Sequence, residues 1–226
     1  MDQRKRIAIY GGTFDPVHSG HLEIARNVSQ LFEIDEFIFV PARLAPHKQH
    51  AQVSAALDRY AMLVLATMEF PKLCVSEFEL DGPRHQYTVD TLSSFQSQFP
   101  QADLFFVMGA DSWNEITSWR EWEKLLSMVN HIVVTRPGYE FSSAHVGPAE
   151  AERVVDMRGL AQPPSQSVEP GHPKIFVTDA VMHDVSATSA RGAARDNRIQ
   201  ELNKLVPSAV AQYITKYRLY RNSNEA

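Results

Sequence analysis

The sequence predicts an α/β fold: a doubly wound, mostly parallel sheet of Rossmann-like design with helices on both faces. Three observations predict it. Short, continuously apolar runs alternate with longer amphipathic ones. Strands buried on both faces read as unbroken apolar stretches, and alternating βαβα order implies parallel pairing through right-handed crossovers. Segments rich in Gly, His, Ser and Arg then follow the apolar runs, where open α/β sheets bind ligands.

The strand candidates are RIAIY (6–10), FIFV (37–40), LFFVM (104–108), HIVVT (131–135) and KIFVT (174–178), with KLCVSE (72–77) a weaker sixth. Between them, apolar residues recur at three- and four-residue steps, the spacing of an amphipathic helix. Leu22, Ala25, Val28 and Phe32 mark the first helix, and Leu57, Tyr60, Ala61, Val64, Leu65 and Met68 the second. Val89, Leu92, Phe95 and Phe99 mark a third, and Trp122, Leu125, Leu126 and Val129 a fourth. Val210, Tyr213, Ile214 and Tyr217 mark a last helix with Pro207 at its first turn, where a missing N–H costs nothing. Residues 138–173 are rich in Pro, Gly and Ser with little periodicity. They read as an irregular excursion, with room for a short helix near 148–158, within one domain spanning 1–226.

A chain of 226 residues supports one substantial core or at most two small domains, and 44% apolar residues supply it. The formal net charge of −5 argues against general nucleic-acid binding, which needs a basic surface, but leaves room for a small anion held by local cations. The single cysteine, Cys74, forms no internal disulfide, as expected in a reducing compartment. MDQRKR is basic like the start of a signal peptide, yet only IAIY follows before GG. That is too short for a signal core or a membrane span. The expectation is a cytoplasmic protein without membrane attachment. The sequence leaves oligomeric state open, a homo-oligomer included.

The polar clusters are GGTFDPVHSGH (11–21), PARLAPHK (41–48), GADSW (109–113), RPGY (136–139) and DVSATSAR (184–191). All fall on one edge of the predicted sheet, and that convergence points to an active site. Gly11 and Gly12 permit a sharp turn and close approach of a ligand. Ser19 or Gly20 would cap a helix beginning near His21. A helix start offers free N–H groups and a positive dipole end, suited to phosphate. His18 and His21, three residues apart, could both face that spot as imidazolium donors. The GG pair alone is a common turn. Two histidines at this spacing also occur in zinc sites, but no further ligand framework accompanies them. The stretch is neither a Walker A loop nor the GxGxxG dinucleotide fingerprint, which sets aside a nicotinamide-dependent dehydrogenase.

GGTFDPVHSGH resembles the T/HxGH signature of the nucleotidyltransferase superfamily. GADSWNEITSW, TRPGY and DVSATSAR, in that order, resemble further segments of the bacterial nicotinate-nucleotide adenylyltransferases, and the resemblance covers nearly the whole chain. It implies transfer of the adenylyl group of ATP to nicotinate mononucleotide, by direct in-line attack on the α-phosphorus. It also implies magnesium, carried mainly on phosphate oxygens and water rather than in a metal site built by the protein. By motif position, His18, His21 and Arg191 are the implied catalytic groups. Gly11, Gly12, Thr13, Phe14, Asp111, Ser186 and Thr188 join them around ATP, with Thr188 as a helix cap. His47 and Lys48 would meet substrate phosphates, Trp119 would stack on the nicotinate ring, Tyr87 and Thr88 would read its carboxylate, and Arg136 would add positive potential. Taken singly, several have plainer readings: Asp111 as a helix cap, the Ser/Thr–Arg element as a cap with a surface arginine, and Arg43 in a solvated basic loop. Ala190 stands where the family usually has a bulky aliphatic residue, weakening a packing contact. The rival readings are a sister enzyme acting on phosphopantetheine and a nucleotide-binding sensor without chemistry.

Overall fold

The computed structural model describes residues 4–43, 53–81, 87–135, 140–159, 171–179 and 185–221. In chain order the elements are β1 (Arg6–Gly12), α1 (Ser19–Leu31), β2 (Glu36–Pro41), α2 (Ala56–Thr67), β3 (Leu73–Val75), α3 (Phe78–Asp81), α4 (Thr88–Gln98), β4 (Asp103–Gly109), α5 (Ala110–Asn114), α6 (Trp122–Met128), β5 (Asn130–Val134), α7 (Pro148–Ala151), β6 (Val154–Asp156), β7 (Ile175–Thr178), α8 (Ala187–Arg195), α9 (Ile199–Leu205) and α10 (Ser208–Lys216). A 3-10 turn covers Ile116–Ser118.

All strand pairs are parallel, in the order β3-β2-β1-β4-β5-β7-β6. Side chains alternate across β1: Ala8 and Tyr10 face one core, Ile7 and Ile9 the other. The first core gathers Phe37, Phe39, Phe105 and Phe176 beneath α1, α2, α8 and α10. The second gathers Phe106, Trp113, Leu125 and Leu126 beneath α4, α5 and α6. The order reverses between β1 and β4, so the crevice of a doubly wound sheet opens at the carboxyl ends of these two strands.

The strands lie where the apolar runs predict them. Three expectations need correction. Residues 154–156 of the supposed irregular excursion pair in register with β7 as an edge strand, too short to show an alternating pattern. The tail carries α9 as well as α10, and Pro207 precedes α10 as its N-cap. In α2 the apolar stripe is rotated: Arg59, Met62, Leu63, Ala66 and Thr67 are buried, while Leu57 and Met68 are exposed. A buried arginine hides the true inward face from any hydrophobicity pattern.

Candidate active site

His18 is the N-cap of α1, with extended backbone. Ser19 and Gly20 are therefore already helical and do not cap; the Ser19 hydroxyl donates instead to the Leu205 carbonyl at 3.0 Å. The His18 N–H donates to Nδ1 of His21 at 3.2 Å, satisfying one free donor of the helix start. With Nδ1 accepting, the ring proton of a neutral His21 sits on Nε2. The two imidazoles stack with centroids 3.6 Å apart. Gly20 makes this possible, because a Cβ there would lie 3.2 Å from Nδ1 of His18. His21 is held well below the ordinary histidine pKa, first by burial and then by His18. The imidazolium expected there is thus, in the free protein, a neutral donor.

The turn after β1 also differs from expectation. Gly11 and Gly12 belong to the strand, and the residue with left-handed backbone is Phe14, at φ 50°. Gly12 serves that turn indirectly. A Cβ on it would lie 2.9 Å from the Phe14 ring, so the missing side chain makes room for the aromatic. Phe14 then meets Tyr10, Phe39 and His21 edge-on, the last at 5.0 Å between centroids. Thr13 is half-buried, and its carbonyl accepts from Arg59 at 2.8 Å.

At the other side, Ser186 caps α8, its Oγ accepting from the Ser189 N–H at 3.1 Å. Thr188, the expected cap, lies inside the helix, where its Oγ1 accepts from Arg191 at 3.3 Å. Arg191 reaches across to the Asp15 carbonyl at 2.7 Å, bringing the first and last motifs into contact over 176 residues. Ala190 is fully buried in the first core.

His18, Gly20, His21, Asp111 and Ser186 line one cavity of about 290 Å³, together with Tyr10, Ile24, Gly109, Val134, Thr135 and Val185. Asp111 is exposed in the first turn of α5, whose N-cap is Gly109 rather than Asp111. Thr135 and Val134 were missed by motif reasoning, though a strand-end rule applied to β5 would have found them. Another cavity, of about 370 Å³, opens at the opposite edge of the sheet, between Arg4, Phe99, Asp103, Met128 and Pro173. It is remote from every motif.

Trp119, Tyr87 and Thr88 lie toward the second core. Trp119 packs against that core and meets Phe106 edge-on at 6.4 Å. Its buried Nε1 has no hydrogen-bond partner among the described residues. Tyr87 is the N-cap of α4 and Thr88 its first residue; the Arg120 guanidinium sits 4.7 Å from the Tyr87 ring centroid. Gly11, near the end of β1, lies over the buried Phe106 ring, which a Cβ there would meet in ordinary contact at 3.6 Å. Arg43 donates to the Leu80 carbonyl at 3.2 Å. His47, Lys48 and Arg136 lie outside the described residues. No helix among the described residues is long and apolar enough to cross a membrane.

Residues 9–193 match the family model described as cytidylyltransferase-like. A Mycolicibacterium vanbaalenii protein named as a probable nicotinate-nucleotide adenylyltransferase is 38% identical over 223 residues, covering 99% of this chain and 95% of its own. A Corynebacterium jeikeium protein of the same name is 39% identical over 213 residues, covering 94% and 99%. Among solved structures, the Plasmodium falciparum nicotinic acid mononucleotide adenylyltransferase complexed with NaAD superimposes with a TM-score of 0.72 at 22% identity, covering 96% of this chain and 98% of that one. That last likeness concerns the fold.

Proposed function

Since this chain belongs to the nicotinate-nucleotide adenylyltransferases of the cytidylyltransferase-like family, we propose that it transfers the adenylyl group of ATP to nicotinate mononucleotide, yielding nicotinate adenine dinucleotide and pyrophosphate. The observation that carries this reading is the pairing of two helix starts across one cavity. The His18–His21 stack crowns α1, and the Ser186 cap opens α8. Both ends offer N–H groups and positive dipole ends toward the space between them, as a polyphosphate needs.

In the reaction, an oxygen of the mononucleotide phosphate forms a bond to the α-phosphorus of ATP. The bond from that phosphorus to the bridging oxygen breaks in line, and pyrophosphate leaves. Such a displacement needs alignment and charge stabilisation more than a protein nucleophile. His21 supplies an Nε2–H donor for the charge growing on the phosphate oxygens. Arg191 supplies a second fork of donors once released from the Asp15 carbonyl. Magnesium would bring charge neutralisation of the phosphates. Its ligands would be mainly phosphate oxygens and water, with Asp111 a carboxylate on the cavity wall. The reading puts the reaction in the cytoplasm.

The test is pyrophosphate release from ATP in the presence of nicotinate mononucleotide, its amide counterpart or phosphopantetheine. Release with the acid mononucleotide, well above that with phosphopantetheine, is the expected result. Tight ATP binding with no release under any acceptor would overturn the reading.

A further inference from the structure

Arg59 is 1% exposed, one of the largest fully buried side chains of the protein. A guanidinium in that position is strongly destabilising unless its donors are satisfied. Its partners are three main-chain carbonyls from three separate stretches. Nη1 donates to Thr13 at 2.8 Å, Nη2 to Arg43 at 3.1 Å and Nε to Ser54 at 3.1 Å. Those carbonyls belong to the turn after β1, the loop after β2 and the residues leading into α2. Burial lowers the guanidinium's pKa, and the nearby Asp15 and Tyr220 oppose that effect. A planar fork of five donors matches such a divergent set of acceptors, and an ammonium does not.

The Thr13 carbonyl is the informative partner. It precedes Phe14, the residue held in left-handed backbone, a conformation that is strained for a non-glycine residue. Phe14 persists there because its surroundings fix it: the guanidinium holds the peptide on one side, and Tyr10, Phe39 and His21 enclose the ring on the other. The chain of contact thus runs from Arg59 to the Thr13 carbonyl, to the Phe14 ring, to the His21 imidazole. We propose that Arg59 is a positioning residue for the adenylyl transfer, setting the place of the His21 ring through the Thr13–Phe14 peptide while anchoring the Arg43 carbonyl just after β2. The proposal rests on the functional reading above for His21, but the geometry it describes exists without substrate.

The variants are Arg59→Lys and Phe14→Leu, measured beside the parent for thermal midpoint, steady-state turnover and the titration of His21 by imidazole nitrogen NMR. Arg59→Lys keeps the charge and loses the fork. It is expected to stay folded, to lose about 10- to 100-fold in kcat, and to let His21 titrate closer to the ordinary value of 6.5 as its enclosure loosens. Phe14→Leu leaves the carbonyl bonds and removes the ring contact, so its His21 titration should move the same way. A merely structural arginine would lower the thermal midpoint without moving that titration in the folded protein. Turnover of Arg59→Lys within twofold of the parent, with His21 unmoved, overturns the proposal. Should Arg59→Lys fail to fold, an unmoved His21 in Phe14→Leu overturns it equally. A His21→Ala control separates the two readings. If that variant keeps full turnover, the role of His21 fails, while the NMR arm still decides whether Arg59 sets its position.

Discussion

His21 shows how a single residue can carry two duties through its two nitrogens. Nδ1 closes the start of α1 by accepting from the His18 N–H, which leaves Nε2–H for a ligand. Lysine could supply charge there but could not accept the backbone bond. The residue is kept uncharged by burial in the free protein. A fixed neutral Nε2–H donor gains strength as negative charge grows on the phosphate oxygens, so it favours the transition state over bound ATP. His21→Ala should therefore lower kcat by about 10²–10³, the usual cost of one lost donor to a developing oxyanion, with a smaller effect on ATP affinity. Single-turnover pyrophosphate release checks this; kcat near that of the parent would remove His21 from the chemistry.

Helices act here mainly through their first turns. Ser186 caps α8 with a direct bond to the Ser189 N–H, and it also lines the cavity. Ser186→Ala should cost about 1 kcal/mol of stability, as loss of an N-cap does. It should also raise the KM for ATP severalfold while leaving that for the mononucleotide within twofold, since the α8 start faces only the first side of the sheet. Equal rises in both constants in a steady-state assay would contradict the separation. The same elements show what was legible in advance. The continuous apolar runs of β1, β2, β4, β5 and β7 are visible because burial on both faces removes polar residues from the sequence. The HxGH and S-x-T-x-x-R segments are visible because few other backbones need those residue types together. The inward face of α2 was not, because Arg59 breaks its pattern. Nor were the caps: His18 and Ser186 do the work assigned to Ser19 or Gly20 and to Thr188, and a shift of one or two residues at a helix start leaves no mark on periodicity. The strand β6 is three residues long and borrows its order from β7.

At the scale of the whole molecule, the proposed reading puts the two substrates on different sides of the sheet. Tyr10 and Phe14, which meet His21, and Ala190 of α8 belong to the first core, and Trp119 packs against the second. Trp119→Ala should accordingly weaken the mononucleotide by about 5- to 100-fold, the range for loss of one aromatic stacking platform, and leave the KM for ATP within twofold. Comparable losses for both substrates would place Trp119 elsewhere in the mechanism. A second buried ring contributes to stability as a function of pH. His131, in β5, is fully buried against Phe106. Neither ring nitrogen has a well-formed hydrogen bond among the described residues. Burial is the main cause that pushes its pKa down to about 3; the Val129 main chain opposes the shift weakly and the Arg153 charge reinforces it. In the unfolded chain the same ring takes a proton near the ordinary 6.5. Between those values the unfolded state binds a proton that the folded state refuses, so stability is full above about pH 6.5 and falls as pH drops toward 3. The slope from this group is roughly 1.4 kcal/mol per pH unit. His131→Leu removes the titrating ring without opening the core to water. Urea unfolding from pH 7.5 to 4 should show the variant close to the parent at neutral pH and progressively more stable than it below pH 6, with His21 contributing equally to the acid limb of both. Parallel curves for the two proteins, or an imidazole resonance of His131 in the folded parent that titrates near 6.5, would show that burial does not hold this ring neutral.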